Sequence, residues 1–141
     1  MPGLRVAPVV VARCAVIVLA GALLLAPMVS AASNTRPFLR VSSGLLAPGA
    51  SVRLTGSVGL QSGQPRCPTG DQVDLLSHAF AAQRNRSLDF AGVPTVLATV
   101  HRNGSFAATG HIAANAHAGT YTISGRCGGG NLGFDVHLRV N

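Results

Sequence analysis

The sequence predicts an all-β protein, with about seven short strands forming two antiparallel sheets packed face to face. Three observations predict it. Apolar and polar residues alternate at period two in seven separate runs after the first thirty residues. Turn-forming residues punctuate those runs, with 17 Gly and 8 Pro in 141 residues. Strong helix formers are scarce: Lys and Glu are absent, and only 11% of residues are charged. The 48% hydrophobic content excludes a disordered composition, and the length suits one domain.

Residues 1–31 read as an export signal. Arg5 and Arg13 precede an uninterrupted apolar run over residues 15–25, Pro27 breaks it, and Val29-Ser30-Ala31 places small residues before a cleavage point after Ala31 or Ala32. The alternative is a retained membrane anchor. The apolar run over 15–29 is 15 residues and contains Pro27, whereas a spanning helix needs roughly 20. Cleavage after Ala31 leaves 110 residues with nine Arg and four Asp, a net charge of +5.

The strands follow in order. Leu39 and Val41 flank Arg40, Val52 and Leu54 flank Arg53, and Val73 and Leu75 flank Asp74. Val96, Ala98 and Val100 alternate with Leu97 and Thr99; Phe106, Ala108, Gly110 and Ile112 alternate with Ala107, Thr109 and His111. Tyr121, Ile123, Gly125 and Cys127 share one face of the next run, and Phe134, Val136, Leu138 and Val140 one face of the last. Pro48-Gly49 opens the second strand. Asn103-Gly104 predicts a two-residue hairpin in which His101 pairs with Phe106, and the glycines at 128–130 predict another tight connection. The stretch 78–94 is irregular, with room for a helical turn at 79–83. Two sheets are the simplest way to bury one apolar face per strand at this length.

Cys67 and Cys127 are the two cysteines left after export, and an even count in an exported chain predicts one disulfide. It closes a loop of about 60 residues, worth roughly 4 kcal/mol in the chain-entropy model.

Residues 119–123 (Gly-Thr-Tyr-Thr-Ile) with 126–129 (Arg-Cys-Gly-Gly), the Asn-Gly-Ser-Phe of 103–106 and the Pro-Gly-Ala-Ser-Val-Arg-Leu-Thr-Gly of 48–56 resemble bacterial immunoglobulin-like domains of small secreted proteins. The resemblance covers about residues 37–141. It implies an immunoglobulin-like antiparallel β-sandwich in which the Tyr121 hydroxyl bonds the preceding loop, and a bridge tying the loop before the third strand to the end of the sixth. The chain departs from antibody domains in having no Trp and in placing Cys67 in a Pro-rich loop. A narrower similarity, through residues 42–45 and 59–63, is to the apoproteins of enediyne chromoproteins, which hold an apolar chromophore in a cleft. Those carry two short-loop disulfides, where this chain has a single long-loop bridge.

Catalytic chemistry is poorly supplied. Four scattered Asp offer no carboxylate pair, no Gly-x-Ser-x-Gly elbow is present, and the five His lack metal-ligand spacing. No catalytic residue, metal or cofactor is expected. The expectation is a secreted, non-catalytic module at the cell surface or envelope. Its binding end would combine Arg66, Arg84, Arg86 and Arg126 with Phe80 and Phe90 of the 78–94 segment. A basic exported surface suits an anionic envelope polymer or an acidic protein. Nucleic acid is not expected, because the basic residues are not interleaved with aromatics. Contact with a membrane would come only through an uncleaved signal segment. The rival expectation is a carrier of an apolar small molecule in a cleft between the sheets.

Overall fold

A computed structural model describes residues 33–82 and 89–141. The export signal at 1–31, Arg84 and Arg86 lie outside the described residues. The described chain is all-β. Its strands are β1 (Phe38–Val41), β2 (Leu45–Leu46), β3 (Ser51–Ser57), β4 (Leu60–Gln61), β5 (Gln64–Pro65), β6 (Gln72–Leu76), β7 (Thr95–Thr99), β8 (Ser105–His111), β9 (Gly119–Cys127) and β10 (Gly130–Val140). Seven of them carry the seven predicted alternations. The additional three, β2, β4 and β5, have two residues each, too short to show a period.

One sheet has the order β1-β3-β8, a second the order β2-β10-β9-β6-β7, and β4 and β5 form a separate hairpin. All pairings are antiparallel except β2 with β10, where Leu45 and Leu46 run parallel beside Arg139 and Val140. The β4–β5 turn is Ser62-Gly63, with φ of 51° and 79°. Positive φ at both positions is the two-residue hairpin geometry that glycine favours.

Both sheets contribute to one core. β3 gives Val52 and Leu54, β8 gives Phe106, β6 gives Val73 and Leu75, β9 gives Ile123 and β10 gives Phe134 and Leu138. At its centre Phe106 of one sheet stacks on Phe134 of the other, ring centroids 6.5 Å apart. Each ring lies over a strand glycine, Phe106 over Gly56 and Phe134 over Gly125, where a Cβ would collide with it. A register shift between Asn131 and Asp135 inserts extra residues into β10 opposite β9. Phe134 lies within that irregularity, and such bulges re-aim side chains.

Two expectations are corrected. Asn103-Gly104 is a tight turn but joins no hairpin: β7 and β8 belong to different sheets. The turn is closed by His101 N–H to the Ser105 carbonyl (2.9 Å) and Gly104 N–H to the His101 carbonyl (2.8 Å), so His101 meets Ser105 rather than Phe106. The Gly104 carbonyl then accepts from Val58 N–H (2.9 Å), handing the chain to β3. The described part of the 79–83 stretch forms no helix. A single turn, Phe80 N–H to the Ser77 carbonyl (3.2 Å), leads into an antiparallel bridge between Phe80 and Ile112. Burial of Ala79 and Phe80 beside the end of β8 wins over any helical tendency.

Candidate functional site

Strand alternation decides where the expected site residues go. On β9, Ile123 and Gly125 point into the core, and Cys127 continues that face to the bridge with Cys67. The two Cα atoms are 6.1 Å apart, within the span a disulfide allows. Such a bridge fits an oxidising compartment. Cys67 is buried, while Cys127 is half-buried.

Beside the bridge lies a groove of about 220 Å³. Its walls are Pro37, Gln61, Arg66, Cys67, Cys127, Gly130, Asn131 and Leu132. Three structures converge on it. The segment before β1 reaches the β4–β5 hairpin through reciprocal Thr35–Leu60 backbone bonds (3.0 and 3.1 Å), and Gly63 N–H bonds the Ser33 carbonyl (3.0 Å). Arg66 N–H bonds the Gly59 carbonyl (3.1 Å), fixing the start of the Cys67 loop. The β9–β10 hairpin supplies the other wall, where the Asn131 side-chain oxygen accepts from Gly133 N–H (2.8 Å).

Arg126 is next to Cys127 in sequence but does not line the groove. It points to the other face of the sheet, opposite Asp74 of β6. Its guanidinium lies over the Phe90 ring, 4.6 Å from the centroid, and Nη2 donates to the Gly129 carbonyl (2.6 Å). Its Nε is buried without a hydrogen-bond partner among the described residues. Burial raises the Asp74 carboxyl above the usual aspartate range, and the Arg126 charge works against that rise. The bridge therefore joins the backbones beside Arg66 and Arg126 without merging their side chains into one cationic patch.

Phe90 reaches Arg126 because residues 89–95 fold on themselves. Phe90 N–H donates to the Thr95 hydroxyl (3.0 Å), that hydroxyl donates to the Val93 carbonyl (3.0 Å), and Thr95 N–H donates to the Asp89 carboxylate (3.3 Å). Thr95 pairs with Leu76, and both are buried although Leu76 faces away from Leu75. Phe80 is elsewhere, 1% exposed in the main core and so closed to an outside ligand. Of the expected binding residues, Arg126 and Phe90 are brought together, Arg66 stands apart in the groove, and Phe80 is structural.

The histidines stay apart. His111 Nδ1 lies 3.1 Å from the Ser51 hydroxyl and His137 Nδ1 3.2 Å from the Thr122 hydroxyl. Among the described residues no group of three His, Cys, Asp or Glu could hold a metal ion. The Tyr121 hydroxyl donates to the His117 carbonyl (2.9 Å), in the loop before β9. Sequence reasoning missed the groove. Its polar walls, Gln61 and Asn131, come from hairpins 70 residues apart that meet beside the bridge, a proximity no local pattern signals.

No family model and no curated protein matches the chain. Among solved structures, similarity is found to the Pseudomonas fluorescens alkylpurine DNA glycosylase AlkC bound to DNA containing an abasic site analogue. It is 12% identical, with a TM-score of 0.44, over 74% of this chain and 29% of that one. The sporulation control protein Spo0M from Bacillus subtilis is also 12% identical, with a TM-score of 0.34, over 74% and 47%. The chain thus spans less than half the length of either.

Proposed function

We propose that the protein is a secreted, non-catalytic module of immunoglobulin-like type, with a structural or binding role at the cell envelope. The observation that carries this reading is the strand order. Given the letters of immunoglobulin-like sandwiches, with no strand D and with the β4–β5 hairpin set aside, β1-β3-β8 corresponds to A-B-E and β2-β10-β9-β6-β7 to A′-G-F-C-C′, and Asn103-Gly104 carries the chain from C′ to E. The Tyr121–His117 bond supports it, since a tyrosine near the start of strand F bonding a few residues upstream recurs in such sandwiches. The leader-like residues 1–31, the bridge and the net +5 of the remaining chain support export and a basic surface.

A second reading, a carrier of an apolar molecule between the sheets, has less support. The central space such a ligand would occupy holds the stacked Phe106 and Phe134 rings. The groove beside the bridge is below the roughly 300–1,000 Å³ of typical small-molecule pockets and has Arg66, Gln61 and Asn131 in its walls.

Retention of the purified protein on anionic cell-wall material, measured against rising salt, tests the binding role. Changing Arg84→Ala and Arg86→Ala together should weaken retention and flatten its salt dependence. Unchanged retention removes the basic segment from the reading.

A further inference from the structure

We infer that the groove beside the Cys67–Cys127 bridge is a binding site for a carboxylate on a small ligand, with Arg66 as its anchor. This rests on the binding-module reading and names the ligand chemistry of that end of the domain.

The arginines differ in how far their donors are already committed. Arg126 spends its guanidinium on Phe90 and the Gly129 carbonyl, and Arg40 lies over Phe38, 5.3 Å from the ring centroid. The Arg66 side chain is exposed and makes no hydrogen bond or ion pair with a described residue. Asn131 commits its side-chain oxygen to Gly133 N–H, which leaves its NH2 as the free end. Gln61 adds a second side-chain amide. No Asp is among the walls, so one positive charge and amide donors meet no internal acceptor of full charge.

That composition selects the ligand. A guanidinium fork binds a carboxylate through two parallel N–H bonds, one charge against one charge. A phosphate dianion would find a single cation, and an apolar ligand would have only Pro37, Leu132 and the bridge. A volume of about 220 Å³ suits the end of a short peptide or one sugar ring. The walls are held in advance: the bridge clamps the Arg66 loop to the β9–β10 hairpin, and the Thr35–Leu60 bonds hold the Gln61 side. Preorganisation of this kind lowers the ordering cost of binding.

The test is a titration of the isotope-labelled, disulfide-intact protein followed by amide chemical shifts. The probes are acetyl-dialanine and its C-terminal amide, glucuronate and glucose, and inorganic phosphate. The expected result is that both carboxylates move the amides of Gln61, Arg66, Gly130 and Asn131, while the amide and glucose do not. The tighter of the two carboxylates distinguishes a peptide terminus from an acidic sugar as the source. Arg66→Ala should weaken binding at least tenfold, and Arg66→Lys should restore it only in part. Arg102→Ala, at an exposed turn outside the groove, should change it less than twofold. The inference is overturned if the neutral analogues bind equally, if phosphate binds more tightly than either carboxylate, if the shifts map elsewhere or are absent, or if a folded Arg66→Ala protein binds as before. Envelope retention without carboxylate binding defeats this inference and leaves the module reading standing. Carboxylate binding without retention leaves this inference standing and removes the envelope polymer from the module reading.

Discussion

Replacing Gly125 with Ala adds one methyl group at the most crowded point of the core. The new Cβ would sit 2.7 and 3.0 Å from two edge carbons of the Phe134 ring and closer still to the third. Phe134 is also hemmed in by Phe106, whose ring centroid is 6.5 Å from its own. Phe106 is itself confined, since a Cβ at Gly56 would stand 2.6 Å from its ring tip. The Cζ tips of the two paired rings meet the two glycines, so a methyl at either glycine presses on the pair. Overpacking of this kind costs about 1–3 kcal/mol. Stiffening of the unfolded chain by Gly→Ala returns about 0.4–1 kcal/mol. The net expectation is a loss of about 1–2 kcal/mol, or roughly 4–8 °C in Tm for a domain near this size. Urea unfolding of the wild type, Gly125→Ala, Phe134→Leu and the double variant measures it. Phe134→Leu shrinks the obstructing ring, so Gly125→Ala should cost at least 1 kcal/mol less in that background. An equal cost in both backgrounds, or a Gly125→Ala protein as stable as the wild type, refutes the stack.

Three further outcomes are expected. Non-reducing mass spectrometry should find no free thiol at Cys67 or Cys127, and the Cys67→Ser, Cys127→Ser protein should lose roughly 4 kcal/mol, the loop-entropy value, in urea unfolding. Tyr121→Phe keeps the ring and removes the hydroxyl bond to His117, so thermal unfolding should report a loss of about 0.5–1.5 kcal/mol. Asp74 has its carboxyl raised by burial, so the folded state holds its proton more tightly than the unfolded state. Its cost is absent below the unfolded aspartate value and develops as pH rises through the folded one, so Asp74→Asn should gain stability relative to wild type from about pH 4 upward; parallel stability–pH curves would contradict this.

The seven long strands were legible because each has one face in the core and one outside, and that difference is written in the sequence at period two. Leu76 breaks the rule instructively. It follows Leu75, so it faces away from the main core, yet it is buried opposite Thr95. No alternation signals this, because its burial accompanies the folding of residues 89–95 onto the outer face of the sheet. The same return carries Phe90 to Arg126. Proximity in sequence to Cys127 predicted that Arg126 would join Arg66, but neighbours on a strand point to opposite faces.

Asn103-Gly104 shows why turn chemistry and partner choice are separate questions. The two residues specify a reversal of the chain, and the reversal is present. What they cannot specify is whether β8 turns back onto β7 or onto another strand. In the structure β8 lies beside β3, and Phe106 meets Phe134 between the sheets from the Gly56 side. β3 offers β8 a seven-residue antiparallel partner with Gly56 opposite Phe106, and β7 is left as the edge strand beside β6. Pairing β8 with β7 would put Phe106 in the same sheet as Phe134 and leave β3 with β1 alone. The crossover puts Phe106 and Phe134 on facing sheets, and the contact between them is what the Gly125 and Phe134 variants test.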